Sequence, residues 1–283
     1  MNKLKTVLRF IAYFDFFTVT RISQIIPGLE KFQKRYGALR YKFRMRSWAP
    51  GYNEFREEQI IRGMSNGFDD EPFGRTLDER IVELPWVIAK LQGRSKVLDA
   101  GSALNHSFVL PFLSNSNLSI VTLYPEPYRA TDGQSYIYSD LRSLDFKSNI
   151  FDGISCISTI EHIGFPNAHY KHKTNLLDND LAKGGRLEVI SELKRVLKKG
   201  GNLCVSGPYG NGRDYSTFRN LDCEDVDELV NAFEPESFEL RTFLYTQDGW
   251  IEKHYRDEAF SNICYRSNCA AAAGSVFLLE MVK

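Results

Sequence analysis

Apolar residues from position 76 onward occur in short runs, and most of these runs lack a helical period. Short runs of β-branched and other apolar residues, bounded by turn-forming residues, are typical of buried strands. The pattern predicts strands over 97–98, 118–124, 136–140, 151–158, 202–206, 238–245 and 274–282.

Apolar residues at helical spacing separate several of these strands. The stretch 187–197 carries one broad apolar face and is followed by a basic pair and two glycines, which are typical of a helix C-terminus. We predict further helices over 77–91, where Pro85 interrupts the pattern, over 106–113 and over 225–233. Strands that alternate with helices and end in a strand pair indicate an α/β protein with a doubly wound, mostly parallel sheet.

The stretch 96–105 predicts the first crossover of this sheet. An apolar couplet ends at Asp99, and Gly101 opens a turn before the predicted helix. Ligands of such sheets lie beyond the carboxyl ends of the strands, so we expect a cofactor near residues 99–105. An ordinary strand-to-helix turn gives the same pattern, and a short glycine turn alone does not decide between the two.

Charge divides the chain into two parts. The 283 residues have zero formal net charge, but residues 1–46 contain eleven Lys and Arg against Asp15 and Glu30, which gives this segment a net charge of +9. The turn-rich stretch 67–74 predicts the boundary between a basic, partly helical N-terminal extension at 1–75 and a main domain at 76–283.

The start of the extension predicts an amphipathic helix, because its apolar residues recur at helical spacing: Leu4, Val7, Leu8, Ile11 and Phe14. Arg9 and Asp15 interrupt the apolar run, which argues against a membrane span and against a signal-peptide core. Residues 1–46 could lie on an anionic membrane surface or pack on the acidic main domain, and both interpretations stay open. Basic and aromatic residues interleave over 31–46, but no nucleic-acid-binding motif accompanies them, so nucleic acid is not the favoured partner.

Cysteine and histidine positions predict neither a disulfide nor a metal site. The five cysteines form no C-x-x-C pair, so we expect free thiols and a reducing compartment. We therefore expect a cytoplasmic protein, either free or peripheral at the inner membrane surface. His169 and His172 have a workable spacing for metal binding, but no set of four ligands is evident, and we predict no metal.

Several strings in order along the chain resemble the motifs of class I S-adenosylmethionine-dependent methyltransferases. The strings are 97–101, 140–146, 149–154, 158–163 and 193–201. Each is weak alone, but their order and intervals match over residues 76–283. The resemblance implies a Rossmann-like sheet of the seven-stranded methyltransferase type with an antiparallel last strand, S-adenosyl-L-methionine as cofactor, and methyl transfer as the reaction.

Further residues resemble a poorly characterised methyltransferase branch that is associated with bacterial surface-polysaccharide assembly. They are Glu79, Arg80, Glu83, Pro85, Trp86, 161–164, 207–210, Phe218, Arg219 and 248–250. By analogy, this resemblance implies O-methylation of a sugar, a glycan or another polar metabolite.

The chain departs from the family at two places. Ala103 and Asn105 stand where the family has glycine, and we expect Asn105 to adopt the left-handed backbone that Asn tolerates. Side chains there would also crowd the pyrophosphate of a nicotinamide dinucleotide, which favours a methyltransferase over a dehydrogenase. The family's ribose-binding acid aligns with Pro125, so Tyr124 or Glu126 is expected to take over that contact.

The resemblance also implies a set of cofactor-binding residues. Asp99 and Gly101 are expected to face the methionine portion, and Asp140 to accept a hydrogen bond from the adenine amino group beside the Leu141 amide. Asp140 could instead cap the turn that follows it. The predicted set is Asp99, Gly101, Ser102, Asn105, Tyr124, Glu126, Asp140, Leu141, Ser158 and Thr159.

Four residues are candidates for the acceptor side. His162 follows the fourth strand, and its ordinary pKa suits a general base that deprotonates a hydroxyl acceptor. Glu161 could orient His162 or bind substrate, and Tyr209 and Arg219 could bind a polar or anionic acceptor. Purely structural roles for all four remain open. Two other functions also remain open: N-methylation of a sugar amine, and a non-catalytic cofactor-binding subunit of a membrane-associated assembly.

We predict that residues 1–46 bind the chain to anionic vesicles and that salt weakens this binding. Each basic residue near an anionic surface contributes about 1 kcal/mol, and screening over about 8 Å at physiological salt reduces that attraction. Co-sedimentation with anionic and neutral vesicles at two salt concentrations measures the effect. Packing on the main domain predicts instead that deleting 1–46 lowers the melting temperature and that neither form binds vesicles. Absence of binding at low salt would contradict the membrane hypothesis.

Overall fold

The computed structural model describes residues 52–68, 71–123, 134–165, 179–270 and 272–283. Its strands are β1 (Lys96–Ala100), β2 (Asn117–Thr122), β3 (Gln134–Tyr138), β4 (Phe151–Ile157), β5 (Leu197–Pro208), β6 (Arg213–Asp214), β7 (Arg219–Asn220), β8 (Ser237–Thr246), β9 (Gly249–Lys253) and β10 (Ser275–Val282). Its α-helices are α1 (Tyr52–Asn66), α2 (Arg80–Leu91), α3 (Asn179–Val196) and α4 (Cys223–Phe233).

Eight of these strands form one mixed sheet in the order β3-β2-β1-β4-β5-β10-β8-β9, and β6 and β7 form a separate ribbon. The first five strands of the sheet run parallel, and β10 runs antiparallel between β5 and β8. The predicted doubly wound sheet with an antiparallel last strand is therefore confirmed. The sheet has one strand more than predicted, because β9 pairs with β8 across a tight hairpin.

Helices cover both faces of the sheet, which explains why the central strands read as continuous apolar runs. One core packs the apolar faces of α3 and α4 against the sheet, through residues such as Ile190, Leu193 and Phe233. The other core packs α1 and α2 on the opposite face, through residues such as Ile60 and Val87. The sheet is therefore the middle layer of three. The helices cover its two faces and leave the ends of the strands uncovered.

Helix α2 continues through Pro85, although the sequence pattern predicted an interruption there. A Cβ added to Gly63 of α1 would lie 2.9 Å from Cγ of Pro85, so the two helices approach each other closely at this glycine. The side chains of Arg56 and Asp78 add an ion pair with Nε and Oδ1 2.9 Å apart. Part of the predicted N-terminal extension therefore packs on the main domain.

The prediction of a helix over 106–113 is wrong in length and type. The segment forms turns and then a 3-10 helix, Leu110–Leu113. Pro111 lies at its second residue and has no amide hydrogen to donate, so it suits the start of a helix and disfavours the interior of an α-helix over 106–113. No helix within the described residues is long and apolar enough to cross a membrane.

Candidate functional site

The site lies where the strand order reverses, between β1 and β4. The chain leaves these neighbouring strands in opposite directions, and ligands of doubly wound sheets lie in the crevice that results. The two strand ends also touch: a Cβ on Gly101 would lie 2.0 Å from Oγ1 of Thr159. Gly101 has φ +112°, a backbone conformation that favours glycine. The turn after β1 and the turn after β4 therefore form one surface.

Asp99 shapes the turn after β1. It is fully buried, and its Oδ2 accepts from the Leu104 amide at 2.8 Å while its Oδ1 accepts from Ser155 Oγ at 2.7 Å. These bonds join the turn to β4. They give Asp99 a structural task in addition to the cofactor contact that the sequence predicts.

Ser102 and Asn105 behave differently from the prediction for this turn. Ser102, and not Asn105, takes the positive φ, at +68°. The prediction that Asn105 replaces a glycine in left-handed backbone is wrong, because its side chain instead joins the turn to β3: the Tyr136 hydroxyl donates to Asn105 Oδ1 at 2.6 Å. Ser102 Oγ is buried and has no hydrogen-bond partner among the described residues. Such a hydroxyl at a strand-end crevice is where a polar ligand atom would bind.

Asp140 and Leu141 follow the end of β3. Oδ2 of Asp140 lies 2.6 Å from Nη2 of Arg142, and hydrogen bonds from the Arg142 side chain hold the pKa of this carboxyl below its usual value. The Asp140 side chain is 40% exposed, so it can accept a further hydrogen bond. The Leu141 amide donates to no acceptor within the described residues. An ionised acceptor and an available donor therefore lie side by side.

Glu83 fixes the ends of β4 and β5 to α2. It is fully buried, and its Oε1 accepts from Ser158 Oγ at 2.8 Å and from Ser206 Oγ at 2.7 Å. Its Oε2 accepts from Nη1 of Arg80. Ser158 has φ +43°, and the Thr159 hydroxyl donates to the Ile157 carbonyl at 3.0 Å, so the turn after β4 is held at three consecutive residues.

Glu161 lies in the short 3-10 helix Ile160–His162 that follows this turn. It is 3% exposed, and its Oε2 has no hydrogen-bond partner among the described residues. Burial raises its pKa to about 8, an effect that the charges of Glu83 and Glu79 increase and that of Arg80 opposes. A Cβ on Gly207 of β5 would lie 3.3 Å from Oε2, so this glycine leaves room for the carboxyl group.

His162 is turned toward the loop between β5 and α4. Its Nδ1 lies 2.8 Å from the Thr217 carbonyl oxygen, and its Nε2 lies 3.8 Å from Oε1 of Glu161. A carbonyl oxygen can only accept, so Nδ1 carries the hydrogen and the neutral ring has its lone pair on Nε2. The side chain is 45% exposed, which leaves the ring accessible to a substrate.

Three aromatic rings stand beside His162, and we call Tyr215, Phe218 and Tyr265 the aromatic wall. The rings of Tyr215 and Phe218 stack with centroids 4.8 Å apart and an interplanar angle of 9°, and Tyr265 meets Phe218 edge-on at 4.6 Å. The His162 ring lies 5.7 Å from that of Phe218. All three side chains are half-buried, so each keeps some surface available to solvent.

The structure gives Tyr209 and Arg219 structural contacts. The Tyr209 ring is 1% exposed, and its hydroxyl donates to the Tyr255 carbonyl at 2.7 Å. Nε of Arg219 lies 2.7 Å from Asp225 and Nη1 lies 2.9 Å from Asp214. Its Nη2 also lies 3.6 Å from Asp222, and an arginine already paired with three carboxylates has little charge left for an anionic acceptor.

The Arg219 ion pairs have a consequence for the aromatic wall. They join α4 and β6 to β7, which directly follows Phe218. The Asn220 side chain adds a hydrogen bond from Nδ2 to the Ile263 carbonyl at 3.0 Å, which fixes the same loop to the segment that carries Tyr265. The wall is therefore built on a cross-linked support.

Sequence reasoning missed the contribution of α2, of Thr217 and of the wall. Glu83, Arg80 and, from the wall, Phe218 were noticed only as part of a resemblance. The available signal was a carboxylate in the middle of an apolar helical run, since such a residue is buried only when it is paired. Thr217 and the wall carry no signal of their own, because a backbone carbonyl and loop aromatics acquire their role from tertiary placement.

Several predicted residues lie outside the described part of the chain. These are residues 1–51, Tyr124, Glu126, His169 and His172. Within the described ranges, no group of three His, Cys, Asp or Glu side chains is placed to hold a metal ion. The thiols of Cys156, Cys204, Cys223 and Cys264 are free.

No protein-family model matches this chain, and no curated protein matches it. Solved structures of similar topology include a SAM dependent methyltransferase from Archaeoglobus fulgidus, with 12% identity, coverage of 73% of this chain and 96% of that one, and a TM-score of 0.48. The Burkholderia thailandensis 1,6-didemethyltoxoflavin-N1-methyltransferase, solved with S-adenosylhomocysteine, has 13% identity, coverage of 88% and 90%, and a TM-score of 0.45. The [4+2]-cyclase SpnF has 12% identity, coverage of 79% and 93%, and a TM-score of 0.45. At such low similarity, function has to be argued from the residues of this chain.

We predict that Gly101→Ala destabilises the protein more than Gly93→Ala does. Both glycines have positive φ, +112° and +83°, so both alanines introduce backbone strain of about 1–2 kcal/mol. Gly93 has open space where its Cβ would lie, whereas a Cβ on Gly101 would overlap Thr159. Urea unfolding should therefore show an additional loss of about 1–3 kcal/mol for Gly101→Ala. Equal losses would contradict the close contact between the two turns.

Proposed function

We propose that this protein is an S-adenosylmethionine-dependent methyltransferase. The observation that carries the proposal is the joint surface at the sheet's switch point, where the turn that contains Gly101 meets the turn that leads through Thr159 to His162. One turn presents a buried hydroxyl that has no partner in the described part of the chain, and the other ends in a histidine with its lone pair on Nε2. We propose that the first turn lines the cofactor site and that the histidine is the base beside it.

The residues present fit the cofactor. We propose that Ser102 Oγ bonds the methionine portion and that Asp140 and the Leu141 amide hold the adenine ring, as acceptor and donor respectively. When bound, the cofactor supplies a methyl group on a sulfonium, which is a good leaving group. The protein's remaining tasks are to align the acceptor with that methyl group and to remove the acceptor's proton.

His162 is proposed to perform the proton removal. The Thr217 carbonyl holds Nδ1–H and so fixes both the tautomer and the ring orientation, which leaves Nε2 to take the proton from a hydroxyl. The imidazolium that forms lies 3.8 Å from Oε1 of Glu161, close enough for the ionised form of this carboxyl to stabilise it.

We propose that the acceptor is a sugar, a glycan or another polar metabolite and that the methylated atom is oxygen. The aromatic wall beside His162 supports this choice, because aromatic side chains pack against the apolar face of a ring while leaving its hydroxyls accessible. An N-methyltransferase of a sugar amine is the second candidate, and it needs no base when the amine is neutral. A role in surface-polysaccharide assembly, with residues 1–46 at the membrane, belongs to the same proposal and rests on sequence resemblance and charge.

The first test of this function is cofactor binding. We expect titration calorimetry to detect S-adenosylmethionine and S-adenosylhomocysteine, and Asp140→Ala to weaken both, because both ligands carry the same adenine. The lost hydrogen bond should cost about 1–3 kcal/mol. Asp145→Ala, at an exposed carboxylate five positions away, is the matched control and should bind both ligands normally. If the folded wild type binds neither ligand, the proposed function fails.

The second test separates base catalysis from cofactor binding. His162→Ala should lower turnover at least roughly a hundredfold, the usual contribution of a general base, while cofactor affinity stays within about twofold. His254→Ala, at an exposed histidine beyond β9, serves as the control. Single-turnover methyl transfer to candidate glycan acceptors measures the rate. Unchanged turnover at saturating acceptor would remove His162 from the mechanism and favour the N-methylation candidate.

A further inference from the structure

Behind the turn after β4, three carboxyl groups surround one guanidinium. We call Glu79, Glu83, Glu161 and Arg80 the carboxyl cluster. The Arg80 side chain donates a hydrogen bond to Glu83. The charges of all three other members change the pKa of Glu161. With every member ionised, these four side chains would carry a net charge of −2.

Part of that charge is neutralised within the cluster. Glu83 accepts hydrogen bonds from Arg80, Ser158 and Ser206, which are donors that an ionised carboxylate requires. Glu83 and Arg80 therefore form a neutral pair. Glu79 Oε2 accepts from the Ala273 amide at 3.1 Å.

Glu161 is compensated less fully: a backbone hydrogen bond and the charge of Arg80 lower its pKa, but burial outweighs both. Its carboxyl group is buried, and its Oε2 has no hydrogen-bond partner among the described residues. On the β5 side it faces Gly207, where an added Cβ would lie 3.3 Å from Oε2. Burial and the neighbouring carboxylates raise its pKa to about 8, and burial also raises the pKa of Glu79. At neutral pH and without ligand, Glu161 accordingly keeps its proton.

The other groups that face Glu161 do not supply a positive charge that would stabilise its ionised form. From α2 and the residue before it these are Glu83, Arg80 and Glu79, already counted. From its own turn it is His162, with Nε2 3.8 Å from Oε1 of Glu161. From β4 it is the Cys156 thiol, whose pKa burial raises, so that it stays uncharged. A further positive charge from outside the cluster would therefore favour the ionised form of Glu161.

We propose that Glu161 is the counter-charge of the cofactor's sulfonium: binding of the cationic cofactor ionises Glu161 and releases a proton to solvent, whereas the uncharged demethylated product leaves Glu161 protonated. This inference rests on the proposed function, and it assigns to Glu161 the discrimination between cofactor and product. Thr159, two residues before Glu161, touches Gly101 at the switch point, which places this carboxyl at the cofactor's edge of the sheet.

Electrostatics makes the effect large enough to measure. For an assumed separation of about 8 Å and an effective dielectric constant of about 20, a unit positive charge favours the ionised carboxyl by a factor of roughly thirty. The same electrostatic coupling between the sulfonium and Glu161 allows Glu161 to take up the proton that leaves the acceptor. His162 Nε2 can pass it to Glu161 as the positive charge of the cofactor disappears, so the net charge of the site stays constant through the reaction.

The test compares the two ligands by calorimetry with the full chain between about pH 6 and pH 8.5, the range over which the raised pKa of Glu161 acts. We expect the ratio of the product's Kd to that of S-adenosylmethionine to rise roughly tenfold or more across this range in the wild type. In Glu161→Gln, which is neutral at every pH, the ratio should change much less. The ligands' own amino groups titrate in both proteins and cancel in this comparison. Glu58→Gln, at an exposed carboxylate on α1, should behave as the wild type does.

Two further readouts do not depend on the variant's affinity. Calorimetry in buffers of different ionisation enthalpy should show proton release when S-adenosylmethionine binds to the wild type near pH 7, and less release when the product binds. Without ligand, the folded state holds the Glu161 proton above the ordinary pKa of 4.5, so wild-type stability should fall as pH rises toward 8, and less so in Glu161→Gln. Identical pH slopes in the wild type and Glu161→Gln would overturn the inference while leaving the proposed function intact. Absence of binding by either ligand would instead refute the proposed function.

Discussion

The buried carboxylate of Glu83 is the interaction on which the site depends. It accepts hydrogen bonds from Ser158 and Ser206 at the ends of β4 and β5, and it pairs with Arg80 on its own helix. Removing one partner of a buried ion pair costs about 3–5 kcal/mol because the other charge is left uncompensated. The arrangement therefore holds α2 against the two strand ends and fixes the backbone of Ser158 at positive φ. The turn that carries Glu161 and His162 starts from this fixed point.

Around that point, one set of residues holds the loops in place, and a different set has polar groups that could contact a ligand. Asp99 joins the turn after β1 to β4, and the ion pairs of Arg219 join the loop of the aromatic wall to α4. The charges of these residues are already paired with groups of the protein, so they position the loops and are not available to a substrate. Near the switch point, the described groups that still have unused hydrogen-bonding capacity include Ser102 Oγ, the Leu141 amide and the carboxyl of Glu161. Unused polar capacity in a buried site marks the places where ligand atoms are expected.

The sequence predicted the sheet well because buried parallel strands require apolar runs and helices that cover them require an amphipathic period. It failed where local pattern and backbone chemistry disagree. Residues 106–113 have helical spacing, but Pro111 disfavours a continuous α-helix, and the segment forms turns and a short 3-10 helix. Pro85 gave the opposite error, because α2 is held between α1 and the sheet and continues through the proline. The positive φ of Ser102 was assigned to Asn105, since composition shows which residues tolerate such a conformation but not which residue of a turn adopts it.

By itself, the sequence determined the doubly wound sheet with its antiparallel last strand, the place of the crevice at residues 99–105, and the candidates Asp140, Glu161 and His162. These follow from periodicity, from turn residues and from the order of strings along the chain, all of which are local. Only the tertiary structure decided which polar groups are already used. Tyr209 and Arg219 look available in the sequence, but their partners, Tyr255, Asp214 and Asp225, lie on other elements or across a turn. Glu161 looks like any surface carboxylate until its burial beside Glu79, Glu83 and Arg80 is known. Protonation and pairing depend on distances across the fold, and such distances are set only when the chain has packed.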